Sequence, residues 1–242
     1  MPYLNVAPFY FDLEALRPYE IIMGSPLELG EMARRDEIDM GPLSLLDTLS
    51  LPEMEPIDDL AVACEGPVGS VLLFSDRPFA DLGAARITAT TESVTSIRLL
   101  EVLLRRAGIN GFHLQRSGEA ADALLLIGDS ALAEVRRGVW SFVTDLCEEW
   151  TRLEHLPFVF ARWVVRIGTP RIDLIARTLQ ESLDKGLSDL PAVLKAFPSP
   201  VSSDEARAYL NGFLYRPGSR GDQAIARFQT LLGEYGNQRA PR

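Results

Sequence analysis

The chain has 242 residues, 47% hydrophobic and 24% charged, with a formal net charge of −10. That composition excludes a disordered or fibrous chain and suffices for one large or two modest cores. The acidic field repels nucleic acid and anionic membranes, so neither is an expected partner, and an anionic ligand has to be held by local donors.

The two cysteines, Cys64 and Cys147, lie far apart in mostly apolar surroundings. That suits buried free thiols in a reducing compartment better than a disulfide or a zinc site. The two histidines, His113 and His155, have no ligand spacing and read as surface or structural residues. No stretch approaches the length of a membrane span, and no Lys or Arg precedes an apolar run at the start. The expectation is a cytoplasmic chain without a signal peptide.

In chain order, Glu20–Met23 reads as a strand. A helix then starts at Ser25, with Pro26 at its first position and Glu28 closing a capping box. Ile38–Gly41, Leu60–Cys64 and Ser70–Phe74 read as strands, and Ala85–Ala89 alternates like one. Val94, Ile97, Leu100, Leu103, Leu104 and Ala107 recur at helical spacing until Gly108. Asp122–Ile127 is a buried strand, Ala131–Arg137 a short helix and Val159–Val165 another strand. Helices follow at roughly 171–185, 189–196, 203–214 and 221–235, the third opened by a Ser202/Glu205 capping box. The tail 236–242 is expected to fray.

Short apolar runs alternating with helices predict an α/β fold. Polar turns at Ser75–Gly83 and near Leu156–Phe158 read as crossings between two lobes. The expected division is 1–80 plus 160–242 for a discontinuous first lobe, and 85–155 for an inserted second lobe. In such sheets ligands sit where strands lead into helices. Four loops of that kind are small and polar: Asn5–Pro8, Gly41–Ser44, Thr90–Ser96 and Gly128–Ser130.

Thr90–Ser96 is the richest of these, carrying hydroxyls and a carboxylate just before a helix. A helix start offers unpaired N–H groups to anions. Ser93, Thr95 and Ser96 therefore read either as an over-supplied N-cap or as a carboxylate site. Asn5 reads as a turn residue bonded to its own backbone or as a ligand-binding amide. Asp129 is an N-cap candidate or a site residue, while Ser44 and Ser70 say little alone. Asp145, Glu148 and Glu149 read as a helix face with structural pairing rather than an acid–base pair. Trp150, Phe158, Phe160 and Trp163 read as core, with Phe158 also a candidate lining of a ligand cleft. The chain shows no metal motif, glycine-rich nucleotide loop or cofactor lysine motif, so no cofactor and no metal are expected.

Several segments taken together resemble one family. Tyr3-Leu4-Asn5-Val6-Ala7-Pro8 resembles the Tyr-Leu-Asn-x-x-Pro motif of the chorismate dehydratases, which act in the futalosine route to menaquinone. Glu65–Ser75, the Ser93-Val94-Thr95-Ser96 motif, Asp122–Asp129, Asp145–Trp150 and Leu156–Trp163 also resemble that family, in the same order. The family usually has a short strand ahead of its Tyr-Leu-Asn motif, whereas the sequence here starts at Met1-Pro2, and Cys147 stands where Gly is common.

The resemblance implies a two-lobed fold similar to type II periplasmic binding proteins, with a cleft between the lobes. It implies conversion of chorismate, a small dianion, to 3-(1-carboxyvinyloxy)benzoate and water. Under it, Asn5 is the candidate catalytic residue, and Ser44, Ser70, Ser93, Thr95, Ser96, Gly128, Asp129 and Phe158 are candidate substrate-binding residues. Two alternatives remain at this point. One is a cytosolic binding protein for a small carboxylate. The other is an enzyme like 1,4-dihydroxy-6-naphthoate synthase, whose family carries a His and then a Glu where this chain has Gly128 and Asp129.

Overall fold

The computed structural model describes residues 3–12, 20–115, 121–198 and 201–236. The chain divides into two compact units, Met1–Ala63 with Phe160–Pro217, and Cys64–Val159 with Gly218–Arg242.

The first unit opens with a 3-10 helix, Leu4–Tyr10, followed by α1 (Pro26–Arg34), β1 (Met40–Ser44), α2 (Leu45–Ser50) and β2 (Met54–Cys64). It resumes within β8 (Phe158–Arg166) and continues through α6 (Ile172–Ser188), α7 (Leu190–Ala196), α8 (Ser203–Asn211) and β9 (Phe213–Leu214). Its sheet has the order β1-β8-β2-β9. β1 and β8 pair antiparallel, from Met40 opposite Val165 to Ser44 opposite Ala161. Both capping boxes form as the sequence predicts, Ser25 with Glu28 and Ser202 with Glu205.

The second unit holds β3 (Val71–Ser75), β4 (Arg86–Ala89), α3 (Val94–Arg106), β5 (His113–Gln115), β6 (Ala123–Ile127), α4 (Gly128–Arg137), β7 (Phe142–Asp145), α5 (Leu146–Glu154) and α9 (Gly218–Gly236). Its sheet is mixed, in the order β5-β4-β6-β3-β7. β4 runs parallel to β5 and β6, whereas β3 is antiparallel to β6 and β7. Every residue of β3 is buried, which accounts for its unbroken apolar run Val71–Phe74. Trp150, Phe158 and Phe228 stack edge-to-face at 5.1–5.8 Å in the core of this unit.

This division differs in two places from the lobes expected at 1–80 plus 160–242 and 85–155. β3 is an inner strand of the second sheet, because Leu72–Ser75 pairs on both sides. α9 belongs to the second unit, where Phe228 packs against Trp150 and Phe158.

Two elements also differ from expectation. Glu20–Met23 pairs with no described strand, and Ile21, Ile22 and Met23 are exposed. The expected helix 203–214 ends at Asn211, and Phe213–Leu214 forms β9 instead, with the Ala61 amide donating to the Tyr215 carbonyl just beyond it. Most of the tail 236–242 lies outside the described residues. Among the described residues no helix is long and apolar enough to cross a membrane.

Candidate functional site

Asn5 lies on the 3-10 helix Leu4–Tyr10, with Val6, Ala7, Pro8 and Phe9 buried around it. The Asn5 Oδ1 atom is buried and accepts no hydrogen bond among the described residues. The turn reading, in which that side chain bonds its own backbone, is therefore not the one adopted. A buried acceptor without a donor is unfavourable unless a ligand or water supplies one. Helix α6 fixes this segment. Ser182 Oγ donates to the Phe9 carbonyl at 2.9 Å and accepts from the Asp12 amide at 3.1 Å. Lys185 pairs with Asp12 at 2.6 Å. Gly186 lets the helix approach closely: a methyl group there would lie 2.5 Å from the Pro8 carbonyl oxygen.

Ser44 ends β1 and caps α2. Its hydroxyl donates to Asp47 Oδ2 at 2.6 Å and accepts from the Asp47 amide at 3.4 Å. Asp47 is itself buried and pairs with Arg34. With its one proton committed to Asp47, Ser44 can only accept from a ligand.

In the second unit Ser93 caps α3, accepting from the Ser96 amide at 3.2 Å. The Ser93 and Ser96 hydroxyls lie 3.1 Å apart. Whichever of them donates, one hydroxyl proton of the pair remains for a ligand. Thr95 is buried beside them, and Thr90 Oγ1 accepts from the Glu92 amide at 3.1 Å. The segment is thus both a satisfied cap and a cluster with a donor to spare.

Ser70 is buried in the turn before β3, and its carbonyl accepts from the Gly128 amide at 2.8 Å. Gly128 has φ +55, a conformation that disfavours a side chain, and begins α4. Asp129 is exposed in the first turn of α4, and the N-cap is Ile127. Of the two readings of Asp129, the N-cap one is not adopted: the helix begins two residues too early for its side chain to cap. Phe158 is 1% exposed within the aromatic cluster, so it is a core residue and not the lining of a cleft. Asp145 accepts from the Gly69, Cys147 and Glu148 amides and is structural. Cys64 and Cys147 are free and buried.

The model of a family described as menaquinone biosynthesis matches residues 1–234. A chorismate dehydratase of Thermus thermophilus is 33% identical over 220 residues, covering 80% of this chain and 78% of the relative. The chain belongs to the menaquinone biosynthesis family. Solved structures show the fold of that family member. A protein of Archaeoglobus fulgidus matches with a TM-score of 0.78 at 16% identity, covering 97% of this chain and 95% of the other. The alkanesulfonate-binding protein of Xanthomonas axonopodis pv. citri, bound to MOPS, matches at 0.65 and 15% identity, covering 99% and 92%. The periplasmic aliphatic sulphonate binding protein of Escherichia coli matches at 0.64 and 14%, covering 96% and 90%. The fold is α/β and like that of type II periplasmic binding proteins.

Three residues that support the candidate site of this menaquinone-biosynthesis chain were not legible in the sequence. Ser182 and Gly186 carry the signal of two small residues four apart on one helix face, but their partners lie over 170 positions away. Asp47 sits three residues after Ser44, the spacing of a capping pair, and looks like any acidic residue in a first helical turn.

Proposed function

We infer that this chain is a chorismate dehydratase, converting chorismate to 3-(1-carboxyvinyloxy)benzoate and water in menaquinone biosynthesis. The observation that carries the reading is the match to the Thermus thermophilus dehydratase across most of both chains, within a family matched over residues 1–234. Gly128 stands where the naphthoate synthase pattern has its histidine, which favours the dehydratase over that relative.

The reaction removes hydroxide from C4 and a proton from C3, and the ring becomes aromatic. Aromatisation supplies the driving force, so orientation and assistance to the leaving group are what the protein adds. Asn5 takes the catalytic role: its side-chain amide, whose Oδ1 has no partner among the described residues, hydrogen-bonds the departing hydroxyl group, and its N–H groups steady the oxygen as negative charge develops. The spare proton of Ser93 and Ser96, with Thr95 and the start of α3, holds one carboxylate of the dianion. Ser70 and the Gly128–Asp129 turn hold the remainder of the substrate. A substrate carboxylate, held near C3, takes the ring proton.

The net charge of −10 argues for local capture of the dianion and against nucleic-acid or anionic-membrane partners. Two buried free thiols and the biosynthetic role argue for the cytoplasm.

The test is purified protein with chorismate and no added metal or cofactor. Growth of a benzoate absorption supports the reading. Saturable binding of chorismate with no aromatic product contradicts it and identifies a carboxylate-binding protein.

A further inference from the structure

Cys64 and Cys147 are 83 positions apart, follow no paired-cysteine motif and take no part in the proposed reaction. The fold nevertheless brings them together. Cys64 ends β2, and the turn that follows lies along α5. The Gly66 amide donates to Thr151 Oγ1 at 2.9 Å, and the Gly69 amide donates to Asp145 Oδ2 at 2.6 Å. Cys147, in the first turn of α5, donates its thiol to the Cys64 carbonyl at 3.2 Å. The Cys64 thiol in turn donates to the Pro67 carbonyl at 3.4 Å, within that turn. The neighbouring Cys147 side chain holds the Cys64 pKa below the usual thiol value, whereas the Cys147 thiol is pushed up. The fold thus sets two buried free thiols side by side, one ending β2 and the other in the first turn of α5.

We propose that Cys64 and Cys147 form an oxidative modification site, which hydrogen peroxide converts to an intramolecular disulfide. The Cys64 sulfur attacks one peroxide oxygen, the O–O bond breaks, and water leaves with the Cys64 proton. The product is a Cys64 sulfenic acid. The Cys147 sulfur then attacks the Cys64 sulfur, and the displaced hydroxide leaves as a second water with the Cys147 proton. Two electrons pass from the two sulfurs to one peroxide. Closing the pair to a bond of about 2.05 Å draws the turn against α5. Ser70 stands at the far end of that turn, so the redox state reaches a residue assigned to substrate; this second step rests on the proposed function.

The full chain is treated with hydrogen peroxide, denatured and alkylated with iodoacetamide, then weighed before and after reduction. The expected product is monomeric, lighter by two hydrogens and unalkylated, and takes two alkyl groups once reduced. Cys64→Ser and Cys147→Ala each abolish it. Two alkyl groups on unreduced protein, a mass gain from sulfinic acid, or a disulfide-linked dimer would overturn the proposal. None of these readouts depends on turnover. In a second arm, chorismate turnover by the oxidised protein is expected to fall at least about fivefold and to return with dithiothreitol. Unchanged turnover in disulfide-bonded protein would overturn the coupling to Ser70.

Discussion

Ser44 and Asp47 close a small ring: the serine hydroxyl donates to Asp47 Oδ2 at 2.6 Å while the Asp47 amide donates back to Ser44 Oγ at 3.4 Å. Both residues are buried, so Asp47→Ala leaves the Ser44 hydroxyl without its acceptor. It is expected to cost about 1–3 kcal/mol in chemical denaturation. The Arg34 partner is half exposed, and Arg34→Ala should stay within about 0.5 kcal/mol of the parent. A larger loss from Arg34→Ala than from Asp47→Ala would reverse this order of importance.

Asn5 separates activity from stability. Its buried Oδ1 has no hydrogen-bond partner among the described residues, so Asn5→Ala removes an unsatisfied acceptor. Thermal melting should be unchanged or raised, while kcat falls about a hundredfold or more. A variant that loses stability and keeps its kcat would show Asn5 to be structural.

Gly186 sets how closely α6 approaches the helix bearing Asn5. A Cβ there meets Pro8 backbone atoms at 2.5 and 2.8 Å, and backbone cannot turn aside as a side chain can. Gly186→Ala should destabilise by about 1–3 kcal/mol and lower kcat under conditions where the variant is fully folded. Normal turnover by the folded variant would break the link between α6 and the placement of Asn5.

The elements legible in the sequence were those specified by neighbours in the chain. Ser25 and Glu28, and Ser202 and Glu205, close their boxes within one turn. The unbroken apolar run Val71–Phe74 marks a strand buried on both faces, though not which sheet it joins. Glu20–Met23 has strand composition but no described strand beside it, and a strand exists only by pairing. β7 was missed because Phe142 and Val143 are exposed at the sheet edge and give no alternation. Of the site residues, the cap at Ser93 was readable from spacing. The acceptor left open at Asn5, the proton committed by Ser44 and the approach allowed by Gly186 are three-dimensional facts.

Glu134 supplies a pH-dependent contribution to stability. Its carboxylate accepts from Trp140 Nε1 at 2.6 Å and from Arg137 at 3.0 Å, and these donors, the indole first, hold its pKa below the usual carboxylate range. A group depressed on folding stabilises fully above its unfolded pKa of about 4.3 and loses that contribution as pH falls through the folded value. Acid titration followed by Trp140 fluorescence should show a step below that pH, removed by Glu134→Gln. An identical step in the variant would assign it elsewhere.

The most direct test of the central claim is mass analysis of chorismate incubated with the parent protein and with Asn5→Ala, side by side and without cofactor. The account predicts a product lighter by one water from the parent, accumulating over time, and intact chorismate with the variant. Intact chorismate with a folded parent would contradict it.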